Sequence, residues 1–175
     1  MVKPPPRAPS FRYHPEPLET GSVDWSDQVC ACCGEARGLI YKGPVHATEK
    51  VSLCPWCIED GSAAEKFDAT FTDADAPAGV PEAVVDEICR RTPGFSGWQQ
   101  ERWLFHCGDG AEFLGSRGGD ELSAAARDAV RQELRGWSDG DIGWYLDALT
   151  RDGSPTAFLF RCLVCGTHLA YTDST

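Results

Sequence analysis

The sequence lacks long apolar runs and has a shortage of positive charge. No stretch approaches the roughly 18 consecutive apolar residues that a membrane-spanning helix needs. Lysine and arginine number 16 against 27 aspartate and glutamate residues, so the formal net charge is -11. This charge would repel nucleic-acid phosphates and anionic lipids, which argues against general nucleic-acid or membrane binding. It is compatible with a basic protein partner.

The chain also lacks several familiar motifs. It has no Walker loop, no Rossmann glycine pattern, no His-Glu-x-x-His and no nucleophile elbow. Residues 1–9 are polar and proline-rich, without the apolar core of a secretory signal. We therefore expect a cytoplasmic protein whose thiols stay reduced.

Length and composition predict one globular domain. The 175 residues are 42% hydrophobic and 25% charged, as in soluble folded proteins. Residues 1–10 contain four prolines and are predicted to form a flexible tail. Residues 11–175 are predicted to form a single domain, with a cysteine-rich unit at 29–71 and an α+β part at 80–175.

Nine cysteines are present, and four of them have the spacing of a zinc site. Cys30 and Cys33 form one Cys-x-x-Cys pair, and Cys54 and Cys57 form a second. Two such pairs supply four thiolates for a closed, tetrahedral, structural Zn²⁺ site. Cys32 competes with its neighbours as a ligand, but Cys30 and Cys33 have the standard spacing. A redox pair is a weaker interpretation because no βαβ context surrounds the second pair.

The segments around these pairs predict a treble-clef-like unit. Gly38 to Val51 is predicted to be a hairpin between the two pairs. Ser62-Ala63-Ala64-Glu65 is typical of a capping box at the start of a helix. The helix could begin at Cys57 or only at Ser62. The turn formed by the first Cys-x-x-Cys pair and Gly34 is called the knuckle. The order of knuckle, hairpin and helix resembles a treble-clef zinc finger.

The rest of the chain predicts an α+β fold with an antiparallel sheet and about four helices in all. Apolar periodicity, caps and glycine turns delimit the elements. They are a helix at 81–91, a strand at 98–106, a second strand through Phe113, helices at 120–135 and 139–149, and a C-terminal hairpin over 156–171.

The tip of the C-terminal hairpin carries another Cys-x-x-Cys pair, Cys162 and Cys165. Two thiolates do not complete a zinc site, so further ligands must come from elsewhere. The candidates are Cys107, His106, Asp109, Cys89 and His168. Cys107 is preferred because it ends a strand beside a glycine-rich turn. His106 and Cys107 would face opposite ways in a regular strand, so both can bind one ion only if the strand bends there.

We expect a second zinc site formed by Cys107, Cys162 and Cys165, with His106 as the provisional fourth ligand. Whether this site is closed or open distinguishes two functional hypotheses. A closed site favours a non-catalytic binding protein. An open site that retains water favours a metal-dependent enzyme. Cys107 is a poor candidate for a nucleophile because no base is identified beside it.

Several segments together resemble the CbrC family of bacterial proteins, whose name carries a colicin-tolerance label and whose biochemistry is not established. The matching segments are Phe11 to Pro17, Thr20-Gly21-Ser22, Cys30 to Gly34, Cys54 to Ile58, Asp60 to Ala64, Arg91 to Phe95, Gly97-Trp98-Gln99, His106 to Asp109, Phe113-Leu114-Gly115, Phe160-Arg161-Cys162 and Cys165-Gly166. The resemblance implies a one-domain cytoplasmic bacterial protein and supplies no known substrate, reaction or catalytic residue. The family label and the acidic charge together favour the hypothesis of a stress or toxin-tolerance protein. Some relatives carry a further cysteine just after the Gly-Asp turn, where this chain has Gly110, Ala111 and Glu112.

Overall fold

The computed structural model describes residues 8–175. These residues form two antiparallel sheets, five α-helices and one short 3-10 helix. The α+β class is therefore confirmed, with one helix more than expected. Residues 1–7 of the predicted tail lie outside the described residues, and residues 8–10 have no regular secondary structure.

The first sheet has two strands, β1 (Val23–Ser26) and β2 (Gly38–Tyr41). They pair antiparallel with Val23 opposite Tyr41, so the loop between them carries the first cysteine pair. The hairpin predicted for Gly38 to Val51 is wrong. The strand that starts at Gly38 pairs instead with β1, which lies before the first cysteine pair.

Two short helices follow, α1 (Pro55–Glu59) and α2 (Ser62–Phe67). Proline at the first position of α1 suits a helix start, since its missing N–H would have no intrahelical partner there. The capping box predicted at Ser62 is not formed. The N-cap of α2 is Gly61, whose positive φ of 83° favours glycine. The Asp60 carboxylate, one residue earlier, accepts from the amide of Ser62 over 2.8 Å.

Helix α3 (Glu82–Arg91) matches the prediction and buries Ile88. Its last residue reaches the cysteine-rich unit, because Arg91 Nε donates to the carbonyl of Glu59 over 2.9 Å. Thr92 ends the helix in an extended conformation. The helix thus connects the first unit to the second sheet, against which Ile88 packs.

The second sheet has the order β3-β4-β5-β6. Its strands are β3 (Phe105–His106), β4 (Asp109–Arg117), β5 (Thr156–Cys162) and β6 (His168–Asp173).

The strand predicted at 98–106 is present only at its last two residues. Side chains, instead of a neighbouring strand, bind the backbone of the preceding segment. The Asp173 carboxylate accepts from the amides of Trp98 and Gln99, and the Tyr171 hydroxyl accepts from the amide of Arg102. Because these side chains already accept hydrogen bonds from the backbone amides, the segment does not need to pair with a neighbouring strand. It therefore runs past the sheet without regular secondary structure.

The pairing of β4 with β5 places two hairpin turns side by side. Ala111 lies opposite Cys162, so the β3–β4 turn at Cys107–Gly108 lies beside the β5–β6 turn at 163–167. A bulge at Leu114 shifts the register further along, next to Gly115 with its positive φ of 103°. The two turns therefore share one end of the sheet.

Both faces of this sheet are covered. Along β5, Phe158 and Phe160 join an aromatic core with Phe113, while Ala157 and Leu159 contact the helical layer. This alternation follows the two-residue period of a strand.

The helical layer consists of the 3-10 helix (Gly119–Glu121), α4 (Ala124–Glu133) and α5 (Asp139–Ala148). The helix predicted from Asp120 begins later, because Ser123 caps α4 by accepting from the amide of Ala126 over 3.2 Å. Ser138 caps α5 as predicted and accepts from the amide of Asp141.

Candidate metal centres

The first centre is built by a loop and a helix start. Cys30 and Cys33 lie in the loop between β1 and β2, and Gly34 directly follows with a positive φ of 76°. Its amide donates to the Cys30 carbonyl over 2.8 Å, which closes the turn. Cys54 is the N-cap of α1 and Cys57 lies in its first turn. The predicted start at Ser62 holds for α2, whereas α1 begins at Pro55, directly after Cys54 and two residues before the alternative start at Cys57.

The four sulfur atoms of the first centre lie within 4.8 Å of one another. Cys30 Sγ is 3.9 Å from Cys57 Sγ, and Cys33 Sγ is 3.9 Å from Cys54 Sγ. Cys54 Sγ is 3.6 Å from Cys57 Sγ. Four sulfurs at 2.3 Å from one ion in a regular tetrahedron would be about 3.8 Å apart. The observed separations therefore fit a single tetrahedral ion.

Burial and backbone donors set the electrostatics of this centre. Cys30, Cys54 and Cys57 are buried, whereas Cys33 is exposed. The Cys54 amide donates to Cys30 Sγ over 3.2 Å. Burial raises the pKa of Cys30, but the backbone amides of Cys33 and Cys54 outweigh it and bring the value to about 7. Burial raises the pKa of Cys54 to about 11.

The charge of Cys30 adds to the effect of burial in raising the pKa of Cys54, because thiolates this close repel one another. They can all ionise together only when a cation lies among them.

Cys32 lies outside this cluster. Its sulfur contacts the Ser62 hydroxyl at 3.5 Å. Lys66 Nζ donates to the carbonyls of Ala31 and Cys32 at 2.9 Å each, so α2 holds the knuckle in place. This ammonium group also brings positive charge close to the cluster of thiols.

The second centre combines the two turns at the end of the second sheet. His106 ends β3, Cys107 follows it, and Cys162 ends β5. Cys165 lies in the β5–β6 turn, which closes through the Gly166 amide donating to the Cys162 carbonyl over 3.0 Å. The ladder between β4 and β5 is what brings the two turns together.

The strand bend that this site requires is present at Cys107. Its φ is 53°, in the left-handed region that non-glycine residues seldom adopt. As a result both neighbouring side chains face the same point, and Cys107 Sγ lies 3.2 Å from His106 Nδ1. The sequence predicted that His106 and Cys107 could bind one ion only if the strand bends between them. The backbone conformation of Cys107 provides this bend.

The four potential ligand atoms of the second centre also lie within 4.8 Å of one another. Cys165 Sγ is 3.3 Å from His106 Nδ1. A sulfur and a nitrogen bound to one tetrahedral zinc would be about 3.5 Å apart. The structure therefore brings together the residues predicted for the second site: His106, Cys107, Cys162 and Cys165.

The second centre is more open to solvent than the first. Cys107 and Cys165 are exposed, His106 is half-buried and Cys162 is buried. Hydrogen bonds with the Thr167 side chain and backbone lower the pKa of Cys165 to about 6. The nearby sulfur of Cys165 raises the pKa of Cys107 to about 11. As in the first centre, the thiols cannot all ionise without a counter-charge.

Three other candidate ligands are not part of the cluster. Cys89 is half-buried in α3, and burial raises its pKa. His168 begins β6, opposite Arg161. Asp109 has other partners, since Oδ1 accepts from the Tyr13 hydroxyl over 2.8 Å and Oδ2 accepts from Arg12 over 2.6 Å.

The contacts of Asp109 join the segment before β1 to the turn that carries Cys107. The sequence did not identify Asp109 as the partner of Arg12, because a contact between residues 97 positions apart has no local pattern.

His14 was also missed. It is fully buried. Its Nδ1 is 2.6 Å from the Pro93 carbonyl, so that nitrogen carries the hydrogen, and Nε2 accepts from the Thr20 hydroxyl over 2.7 Å. Burial lowers the pKa of His14 to about 4. The residue is therefore a neutral anchor of the loop before β1.

None of the helices within residues 8–175 has the length and apolar character required to cross a bilayer.

Comparison with known proteins places the chain in a family. The family model described as "Uncharacterised protein family (UPF0167)" matches residues 8–174. The UPF0167 protein Mb2317 of Mycobacterium bovis is 51% identical over 177 residues, covering 97% of this chain and 95% of the relative. The UPF0167 protein MT2352 of Mycobacterium tuberculosis gives the same figures.

A more distant relative is the UPF0167 protein PA1536 of Pseudomonas aeruginosa. It is 44% identical over 169 residues, covering 92% of this chain and 94% of the relative. No solved structure matches the chain significantly. The chain therefore belongs to the bacterial UPF0167 family.

Proposed function

We propose that this protein binds two zinc ions at closed, structural centres and acts as a non-catalytic binding protein in the bacterial cytosol. The observation that carries the proposal is the presence of two separate sets of four ligand atoms, each set within 4.8 Å. The first set is four sulfurs, and the second is three sulfurs with one imidazole nitrogen.

Zinc is the metal that best fits these donors. Thiolate and imidazole ligands in a tetrahedron are typical of structural Zn²⁺, whereas Mg²⁺ and Ca²⁺ require oxygen ligands. All nine cysteines lie in the described part of the chain, and none of them forms a disulfide there. Reduced thiols in clusters of this spacing are expected in a cytosolic metal protein.

The treble-clef interpretation remains part of the proposal in a narrower form. Two of its ligand-bearing elements have counterparts here, namely a knuckle at Cys30–Gly34 and a helix that begins directly after Cys54. The hairpin expected between them is replaced by the pairing of β2 with β1.

The alternative of a metal-dependent enzyme requires an open coordination position at the second centre. His106 Nδ1 lies 3.2 Å from Cys107 Sγ and 3.3 Å from Cys165 Sγ, which supports a fourth protein ligand instead of water. A zinc ion with four protein ligands does not activate water. The closed arrangement is therefore preferred.

The cellular part of the proposal rests on charge and resemblance. A net charge of -11 suits a basic protein partner and opposes nucleic-acid binding. The resemblance to CbrC proteins favours a role in stress or toxin tolerance. A salt-sensitive complex with a basic protein would support this role, and salt-dependent binding to unrelated DNA or RNA would contradict it.

Metal content and metal ligands test the two-zinc proposal together. Protein purified under reducing conditions should contain about two zinc ions per chain by elemental analysis. X-ray absorption should give an average of roughly 3.5 sulfur and 0.5 nitrogen ligands per zinc, at about 2.3 and 2.0 Å. A metal-free folded protein, or iron in place of zinc, would refute the proposal. An oxygen ligand in the average would instead favour the enzyme alternative.

A further inference from the structure

A cleft separate from both metal centres lies between the cysteine-rich unit and the second sheet. Its volume is 350 Å³, within the range of small-molecule sites, and no residue of either cysteine cluster lines it. Residues 20–22 and 42–43 line the cleft on the side of the cysteine-rich unit. Residues 95–98, Phe113 and Ser116 of β4, and Thr156 and Phe158 of β5 line it on the side of the second sheet. We call it the hydroxyl cleft.

The floor of the hydroxyl cleft is aromatic and rigid. Phe95 stacks on Phe113 with ring centroids 3.9 Å apart and planes at 14°, and Phe158 lies 5.1 Å from Phe95. All three rings are buried and line the cleft, so little of each ring face is open to a ligand. The floor therefore offers an apolar contact through dispersion and not a free stacking face.

Two cations, Lys42 and Arg151, lie at the rim of the hydroxyl cleft although the chain as a whole is acidic. Lys42 lines the cleft, and its ammonium group forms no ion pair with any residue from 8 to 175. Arg151 also lines it. Glu121 binds Nε and Nη2 of this guanidinium, while Nη1 has no hydrogen-bond partner among the described residues.

A third cation, Arg117, lies just behind the wall. A Cβ placed on Gly115 would be 2.9 Å from Arg117 Nη1 and 3.2 Å from Thr20 Cγ2, so the guanidinium lies beside the Thr20 side chain. Burial lowers the pKa of Arg117, and the positive charge of Arg151 lowers it further. The carboxylate of Glu121 interacts with both Arg117 and Arg151 and offsets part of their mutual repulsion.

Hydroxyl groups complete the lining. Ser96 and Ser116 line the cleft, and their hydroxyls form no hydrogen bond with any described residue. Thr20 is held in place, because its hydroxyl donates to Nε2 of buried His14 over 2.7 Å. The wall is therefore preorganised, with two hydroxyl donors available to a ligand.

We propose that the hydroxyl cleft binds a small organic anion, a phosphate or carboxylate attached to a flat apolar group. The anionic group contacts Lys42, the free edge of Arg151 and the unpaired serine hydroxyls. The apolar group lies on the floor formed by Phe95, Phe113 and Phe158. The proposal goes beyond the zinc centres and does not depend on them.

Two carboxylates reduce the positive charge of the cleft, since Glu121 pairs with Arg151 and Asp152 lies in the lining. Asp152 is the single carboxylate among the described residues that line the cleft. It makes a small anion with one or two charges a better ligand than a polyanion. The 350 Å³ volume likewise excludes a folded macromolecule.

The test uses the full chain as purified, with its metals bound. Phenyl phosphate and benzoate are the anionic probes, and benzyl alcohol and benzylamine are their neutral and cationic counterparts. Amide shifts in NMR spectra report binding at Gly21, Gly43 and Gly97, which line the cleft. At least one anion should give saturable shifts confined to the cleft at concentrations up to about 10 mM. The tighter anion identifies the natural headgroup as phosphate or carboxylate.

A matched pair of variants separates the cleft from general charge effects. Lys42→Gln should weaken binding of the preferred anion about tenfold, as expected for loss of a charged contact. Lys50→Gln, which removes an exposed lysine outside the cleft, should leave the affinity unchanged. Unaltered spectra and melting temperatures would show that both variants fold.

Three results would overturn the proposal. They are the absence of saturable shifts with either anion, binding of the neutral or cationic probe as strong as that of the anions, and equal affinity in wild type and Lys42→Gln.

Discussion

Cys107 Sγ lies 3.2 Å from His106 Nδ1, although the two residues are neighbours in the sequence. In a strand their side chains would point to opposite faces. The left-handed conformation of Cys107, with φ of 53°, removes this restriction at the point where β3 ends. One strained residue thus places two adjacent side chains at the same centre, which suits a site held together by a metal.

Replacing Cys54 with serine should remove the first zinc. The sulfur of Cys54 is buried and lies 3.6 Å from that of Cys57, so the remaining thiolates cannot close a tetrahedron. We expect the zinc content to fall from two to one and the free energy of unfolding to fall on the order of several kcal/mol. Elemental analysis and denaturant unfolding would measure both.

Cys32→Ser is the matched control for this prediction. Cys32 lies in the same loop but outside the cluster, with its sulfur 3.5 Å from the Ser62 hydroxyl. This variant should keep both zinc ions. If Cys54→Ser retained two zinc ions and unfolded like wild type, the first centre would not exist as described.

Replacing Cys165 with serine should remove only the second zinc and cost less stability. Cys165 is exposed at a hairpin turn, whereas the sheet beneath it retains its aromatic core. We expect one zinc ion to remain and a loss of about 1–3 kcal/mol. Co²⁺ substitution would show the change in its absorption spectrum.

Cys89→Ser serves as its control, since Cys89 lies in α3 outside both clusters. This variant should bind two zinc ions. Loss of both zinc ions in Cys165→Ser would show that the centres are not independent.

Chelators should remove the two zinc ions at different rates. The second centre exposes Cys107 and Cys165, while in the first centre only Cys33 is exposed. A chromogenic chelator such as 4-(2-pyridylazo)resorcinol should therefore give two kinetic phases of equal amplitude. The fast phase should be missing in Cys165→Ser and the slow phase in Cys54→Ser. A single phase in wild type would contradict this assignment.

Acid should destabilise the fold through His14. Its pKa is lowered from 6.5 to about 4 by burial, so the folded state keeps the imidazole neutral while the unfolded chain binds a proton. The unfolded state binds more protons between these two values, and stability therefore falls as the pH falls through this window. The loss should reach about 3 kcal/mol by pH 4.

Unfolding curves of His14→Gln would test this contribution. The pH-dependent loss of stability should be smaller in His14→Gln than in wild type. His46→Gln, which replaces a histidine whose side chain is 48% exposed, should behave like wild type. Equal slopes for wild type and His14→Gln would refute the role assigned to His14.

Local patterns in the sequence predicted the elements whose determinants are local. Ser138 and the apolar residues after it predicted α5, and Pro81 predicted the start of α3 within one residue. The predicted strand at 98–106 was wrong over most of its length. Its alternating residues resemble a strand, but the carboxylate of Asp173, about 75 positions away, binds the amide of Trp98 instead.

Local spacing is sufficient to predict the two Cys-x-x-Cys turns, because the spacing within Cys30–Cys33 and Cys162–Cys165 brings each pair together in a single turn. The ligands that complete the second centre depend on contacts between distant parts of the fold. His106 Nδ1 meets Cys165 Sγ across 59 residues, through the β4–β5 ladder and the bend at Cys107. Which strands pair with each other depends on the burial of each strand's whole face, and residue spacing along the chain does not predict it. The hydroxyl cleft lies between two units of the fold, so the sequence did not predict it for the same reason.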